Sequence, residues 1–244
     1  MAFSRVHLPA ERPASRKLTR EMAGLGMNFA ATPLRDANIE NTLLFASEAG
    51  MLEHDLRVLG VLVHWIEVHG ARINADRLAR AESRHAAPRI RAFWAAVGTW
   101  LGKDRRLARL AKGYTGPPVD LLSTGTDFQI ARLGEDERFA GTCLRVPAGT
   151  LRKRKGDVLS PVELARLHAG YRNRILMGPS WRADVWTVLE RDPNLSVAQV
   201  ARRAYCAFAT AWQVRQDFDL FTQSASGRGR RTATRSRAGS KAFP

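Results

Sequence analysis

Cysteine is nearly absent: Cys143 and Cys206 are the only two in 244 residues. Neither stands in a C-x-x-C pair or at ligand distance from a histidine, which excludes a zinc finger. The six histidines, His7, His54, His64, His69, His85 and His168, are scattered. His64 and His69 fall on one helical stretch but are five positions apart, which does not aim two imidazoles at one metal, so we expect no metal site. Long apolar runs are also missing. No stretch of about 18 apolar residues is available to span a bilayer, and no signal-peptide core follows the basic start, so the expectation is a cytoplasmic protein with no membrane partner. The chain also lacks G-x-x-x-x-G-K-[ST], G-x-G-x-x-G after a strand, H-E-x-x-H and G-x-S-x-G. The usual phosphate-loop, dinucleotide, zinc-protease and serine-hydrolase chemistries have nothing to build on.

Acidic residues are in deficit. Lys and Arg number 39 against 23 Asp and Glu, for a formal charge of +16. Such an excess is the electrostatic footprint of a polyanion partner, and with membranes set aside it selects nucleic acid. The cations are unevenly spread. Residues 1–36 form a basic stretch broken by Pro9, Pro13 and Pro33, read as a flexible arm. Residues 223–244 carry Arg228, Arg230, Arg231, Arg235, Arg237 and Lys241 with no acid, among Gly, Ser, Ala and Thr, and read as a disordered, phosphate-seeking tail. These six leave +10 of the +16 on the rest of the chain, so the folded part is itself basic. A third cluster, Arg152, Lys153, Arg154 and Lys155, precedes Gly156 and suits a phosphate clamp.

The hydrophobic pattern is helical along most of the chain. Residues 37–120 read as a helical domain. Leu43, Leu44, Leu52, Leu56, Leu59, Leu62, Val63 and Ile66 give one broad stripe ending at Gly70. Asn74 caps a short helix, and Pro88 opens another with Ile90, Phe93, Trp94, Val97, Trp100 and Leu101 inward. Residues 56–101 therefore outline one candidate helix-turn-helix, with Arg84, His85, Arg89 and Arg91 as its contacts. In residues 121–156 the texture changes: Phe128–Arg132 and Thr142–Val146 flank an acidic, turn-rich segment, which predicts a β-hairpin. Ser160, Pro161 and Glu163 open a helix running to Met177, with Leu164, Leu167, Tyr171, Ile175 and Leu176 inward, Arg166, Arg172 and Arg174 outward, and the C-terminal unit to brace.

Residues 157–222 hold the most informative pattern. Ser196 and Gln199 form an S-x-x-Q capping box, so a helix begins at Val197, with Val197, Val200, Ala201 and Ala204 on its buried face and Arg202 and Arg203 outside. A preceding helix, Ser180–Arg191, turns Trp181, Val185, Val188 and Leu189 inward and stops at Asp192-Pro193-Asn194. A second run, Phe208–Phe218, turns Ala207, Ala211, Val214, Phe218 and Phe221 inward and leaves Phe208, Thr210, Trp212, Gln213, Arg215 and Gln216 for the outer face. Arginine suits guanine edges and phosphates, glutamine suits adenine, and threonine suits either base or backbone. On Val197, Ala201, Ala207, Thr210 and Val214 the segment 180–221 resembles the helix-turn-helix of bacterial winged-helix regulators and of AbiEi-type antitoxins, the repressor half of type IV toxin–antitoxin pairs. It departs from them at Tyr205, where the turn usually holds glycine, and in the size of Phe208 and Trp212. AbiEi-type proteins also carry this unit at the N-terminus.

The resulting expectation is a mainly α protein: a helical N-terminal domain, a small β-hairpin, and a C-terminal helix-turn-helix, winged-helix-like unit. Its partner would be double-stranded DNA, bound by Arg202, Arg203, Thr210, Trp212, Gln213, Arg215 and Gln216 with help from the basic run and tail, in a nucleoid-associated cytoplasmic setting. The resemblance adds a cognate toxin or a second copy of the chain as further partners, and a role in transcription regulation or antitoxin-type autorepression. A sequence-indifferent, architectural DNA-binding protein is the alternative. Catalysis has a thin basis. Ser123–Asp127 resembles the glycine-serine and carboxylate setting of nucleotidyltransferases, but the paired downstream acids do not follow. For a metal-dependent nuclease, Asp127 with Asp136 or Asp157 is the best set available, while Glu135, Asp136 and Glu137 crowd one charged turn. No catalytic residue and no cofactor are expected.

Overall fold

A computed structural model describes residues 12–235, with side chains described as far as Ser224. The protein is mainly helical and divides after Ser180 into two units.

The larger unit is built around a helix buried on every side. In α2 (Ile39–Leu52) all residues from Ile39 to Met51 are buried, as a helix without a polar face must be. It is surrounded by α1 (Ser15–Gly24), α3 (Leu56–His69), α4 (Ala75–Glu82) and α5 (Pro88–Trp100). Side-chain caps set the starts: Asn38 accepts from the Asn41 N–H, Asp55 from that of Val58, and Asn74 from that of Arg77. The single apolar stripe expected over 38–70 is thus two helices. They are parted at Glu53–Asp55, where His54 takes a left-handed φ of 58°.

Residues 12–36 are not an arm. Leu18 and Met22 of α1, with Leu25 and Met27, lie in the core, and the Trp65 indole donates to the Leu25 carbonyl at 2.8 Å. Gly24 makes the packing possible, because a Cβ there would meet the Leu34 carbonyl oxygen at 2.0 Å. Residues 1–11 of the expected arm lie outside the described residues.

The hairpin expected within 121–156 does not form. Residues 128–132 belong to α6 (Thr126–Leu133), bracketed by Gly125 and Gly134 at φ 75° and 80°. The extended pair is β1 (Val119–Asp120) with β2 (Leu144–Arg145), which run parallel, Val119 opposite Leu144. The next expected helix is also two, α7 (Pro161–Leu167) and α8 (Ala169–Met177). Between them the His168 imidazole accepts from the Tyr171 N–H and so caps α8. Leu164 and Tyr171 join the core of the larger unit. Leu167, Ile175 and Leu176, expected inward, are exposed, whereas Arg174, expected outward, is buried.

Arg174 turns inward because Glu40 is there. The fully buried Glu40 carboxylate accepts two parallel bonds from the Arg174 guanidinium, at 2.6 and 2.8 Å, one from Arg77 at 2.9 Å and one from the Asn74 N–H at 2.8 Å. Burial alone would push its pKa up; the two guanidiniums and the Asn74 N–H overcome this and hold it below the ordinary 4.5.

Glu40→Ala would strand two buried cations and should lower stability by about 3–5 kcal/mol in urea unfolding. Because the folded-state pKa is depressed, the contribution of Glu40 should be complete above 4.5 and fade as the pH falls below it, which unfolding at pH 3 against pH 7 would read. Glu82 has the opposite sign. Burial raises its pKa to about 7, with Arg91 opposing, so stability should fall as the pH rises from 4.5 through about 7. Glu82→Gln should flatten that slope in melting curves recorded across the same range.

Candidate nucleic-acid interface

The smaller unit comprises α9 (Trp181–Arg191), α10 (Val197–Arg203) and α11 (Phe208–Arg235). The capping box closes as its sequence pattern predicts: the Gln199 N–H donates to the Ser196 hydroxyl, and the Gln199 side chain accepts from the Ser196 N–H at 2.8 Å. Val185 and Leu189 of α9, Val200 and Ala201 of α10, and Ala211, Val214 and Phe218 of α11 form one apolar cluster with Leu195 and Ala204. Ala201 is small where the helices meet. The turn between α10 and α11 is closed by the Cys206 N–H on the Ala201 carbonyl, with Tyr205 at a left-handed φ of 53°.

Trp186 completes this core, and periodicity alone missed it. Its ring lies edge-on to Phe218 at 5.1 Å and to Phe221 at 5.4 Å, with the Arg182 guanidinium 5.9 Å from its centre. Phe221, expected inward, is 59% exposed and held at the surface by this stacking.

The outer face of α11 carries Phe208, Trp212, Gln213 and Gln216, all exposed; Thr210 is half-buried. Phe208, Trp212 and Gln216 recur every four residues and so share one face. Arg202 and Arg203 project from the end of α10, and Arg203 makes a loose pair with Asp192 at 3.7 Å. Arg215 does not belong with them. Its Nε donates to the Asp219 carboxylate at 3.1 Å and a terminal nitrogen donates to the Leu195 carbonyl at 2.7 Å, tying α11 to the loop before α10. A guanidinium used in this way is a structural clasp.

The remaining candidates lie elsewhere. Arg152–Lys155 occupy an exposed loop of the larger unit, where Lys153 pairs with Glu67 and the Arg152 Nε donates to the Gly149 carbonyl at 3.1 Å. Arg228, Arg230 and Arg231 fall within the span of α11, which extends the order expected to stop near 222; their side chains are outside the described residues, as are residues 236–244 of the expected tail. The outline at 56–101 offers no reading helix, because α5 is buried from Ala92 to Gly98. Arg89, proposed as one of its contacts, instead donates to the carbonyls of Met51, Asp120 and Leu121, and His85 pairs with Glu48.

The three aspartates weighed for metal chemistry are paired with arginines: Asp127 with Arg145, Asp136 with Arg138 and Asp157 with Arg57. Asp136, expected in a charged turn, is buried and also accepts from the Arg138 N–H. Among the described residues no group of three or more His, Cys, Asp or Glu is placed to hold a metal ion, and no helix is long and apolar enough to cross a membrane. His69 is engaged by the Tyr171 hydroxyl at 2.8 Å and the Leu159 carbonyl at 3.0 Å, and burial lowers its pKa to about 4. No family model, curated protein or solved structure matches this chain.

Arg215→Ala should lower the stability of the smaller unit by about 1–3 kcal/mol, because the Leu195 carbonyl and Asp219 lose their donor. Thermal unfolding followed by tryptophan fluorescence would show an earlier transition. An unchanged transition would contradict the clasp.

Proposed function

We propose that this chain binds double-stranded DNA through its C-terminal unit, a helix-turn-helix in which α10 supports and α11 enters the major groove. The observation that carries the reading is the outer face of α11. A helix held by an apolar cluster on one side leaves Trp212, Gln213 and Gln216 in solvent on another, in a chain whose formal charge is +16. Exposed glutamines on such a helix suit the donor–acceptor edge of adenine, Phe208 and Trp212 offer apolar contact to thymine methyl groups, and Arg202 and Arg203 suit flanking phosphates.

The unit is proposed in its three-helix form. Both strands belong to the larger unit, and no strand lies among the described residues of the smaller one, so a wing is not part of the reading. With the resemblance to bacterial regulators and AbiEi-type antitoxins, the reading becomes a sequence-specific regulator or antitoxin-type autorepressor.

Selection of bound sequences from a random DNA pool should enrich a defined site. On that site Gln213→Ala should weaken binding by about 1–3 kcal/mol and relax the preference at one position. Arg202→Ala should weaken binding to all sequences alike and reduce the salt slope. Failure to enrich any sequence, with binding that depends only on salt, would instead identify a sequence-indifferent accessory protein. No binding at low salt would remove the DNA reading altogether.

A further inference from the structure

The larger unit contains an open cleft of about 650 Å³ that neither the helical core nor the proposed DNA contacts use. Three arginines line it: Arg57 at the start of α3, and Arg152 and Arg154 from the basic loop. Its apolar wall is Leu56, Leu122 and Leu133, and Gln129 and Thr150 add neutral polar groups. The volume lies within the roughly 300–1,000 Å³ typical of small-molecule sites.

The backbone that presents these arginines is held firmly. Leu151 is buried, and its carbonyl accepts from the Arg138 guanidinium at 2.8 Å. The buried Asp157 accepts from the Arg154 N–H at 2.9 Å and from the Arg57 guanidinium at 2.8 Å, and its own carbonyl accepts from the Asn28 N–H. Gly60 of α3 lets the loop lie close: a Cβ there would be 3.4 Å from the Arg152 carbonyl oxygen. Of the three guanidiniums, only Arg57 meets a carboxylate, while Arg152 bonds a carbonyl and the Arg154 side chain has no ion-pair partner among the described residues. Most of the forked donors are therefore left over. An excess of guanidinium donors beside a leucine wall recognises an anion with an apolar body.

We propose that this cleft binds a phosphorylated small molecule of nucleotide size, its phosphates held by Arg57, Arg152 and Arg154 and its body set against Leu56, Leu122 and Leu133. The proposal stands independently of the DNA reading. Phosphate chemistry is shared with the backbone of nucleic acid, and the test separates the two sources.

Full-length protein would be titrated calorimetrically with ATP, with inorganic phosphate, and with ATP in the presence of a saturating random-sequence duplex. ATP should bind more tightly than phosphate, and its affinity should persist with the duplex present. The double variant Arg152→Ala, Arg154→Ala should weaken ATP by about tenfold or more. The fold should survive these changes, because both side chains are exposed and Asp157 is served by the backbone N–H of Arg154; an unaltered melting curve would verify it. Absence of ATP binding at millimolar concentration, or equal affinity in the variant, would overturn the proposal. So would complete displacement of ATP by the duplex, which would make the cleft part of a nucleic-acid surface.

Discussion

A single carboxylate fixes the arrangement of the larger unit. Glu40 lies in the first turn of α2, a helix with no wet side, and an ionised group buried there is tolerable only if its charge and lone pairs are met in full. Arg77 from α4, Arg174 from α8 and the Asn74 N–H meet them, so the chain must bring together segments more than a hundred positions apart. Apolar packing alone would accept several docking registers for short helices rich in alanine and leucine. The forked bonds from Arg174 accept one.

The same economy governs many of the arginines and qualifies what the net charge means. Arg57, Arg77, Arg138, Arg145 and Arg174 are paired with carboxylates, and Arg89 bridges three carbonyls. A paired cation projects little field beyond its neighbourhood. The field that a polyanion would feel comes from fewer residues than the count of basic side chains implies, among them Arg202 in the smaller unit and Arg154 and Lys155 in the larger.

Local chemistry was legible in the sequence. Asn74, Ser160 with Glu163, and Ser196 with Gln199 all cap helices, because capping is decided within four residues. Exposure of Trp212, Gln213 and Gln216 follows from helical period. What was not legible depends on distant partners or on short ambiguous runs. Arg174 and Arg215 look like surface cations until Glu40 and the Leu195 carbonyl are in place. Phe128–Arg132 is too short for its apolar pattern to distinguish strand from helix, and the left-handed glycines on either side, rather than its period, define it. Likewise the break at His168 comes from an imidazole acting as a cap, a role its position in an apparently continuous stripe conceals.

Tyr205 bears on how the smaller unit assembles. A left-handed conformation at a residue with a Cβ is unfavourable by roughly 1–2 kcal/mol, so this corner resists its own geometry in isolation. The apolar cluster that joins Val200 and Ala201 of α10 to Ala211 and Val214 of α11 must offset that cost, so a substitution that loosens the cluster would release the chain reversal together with the helix packing.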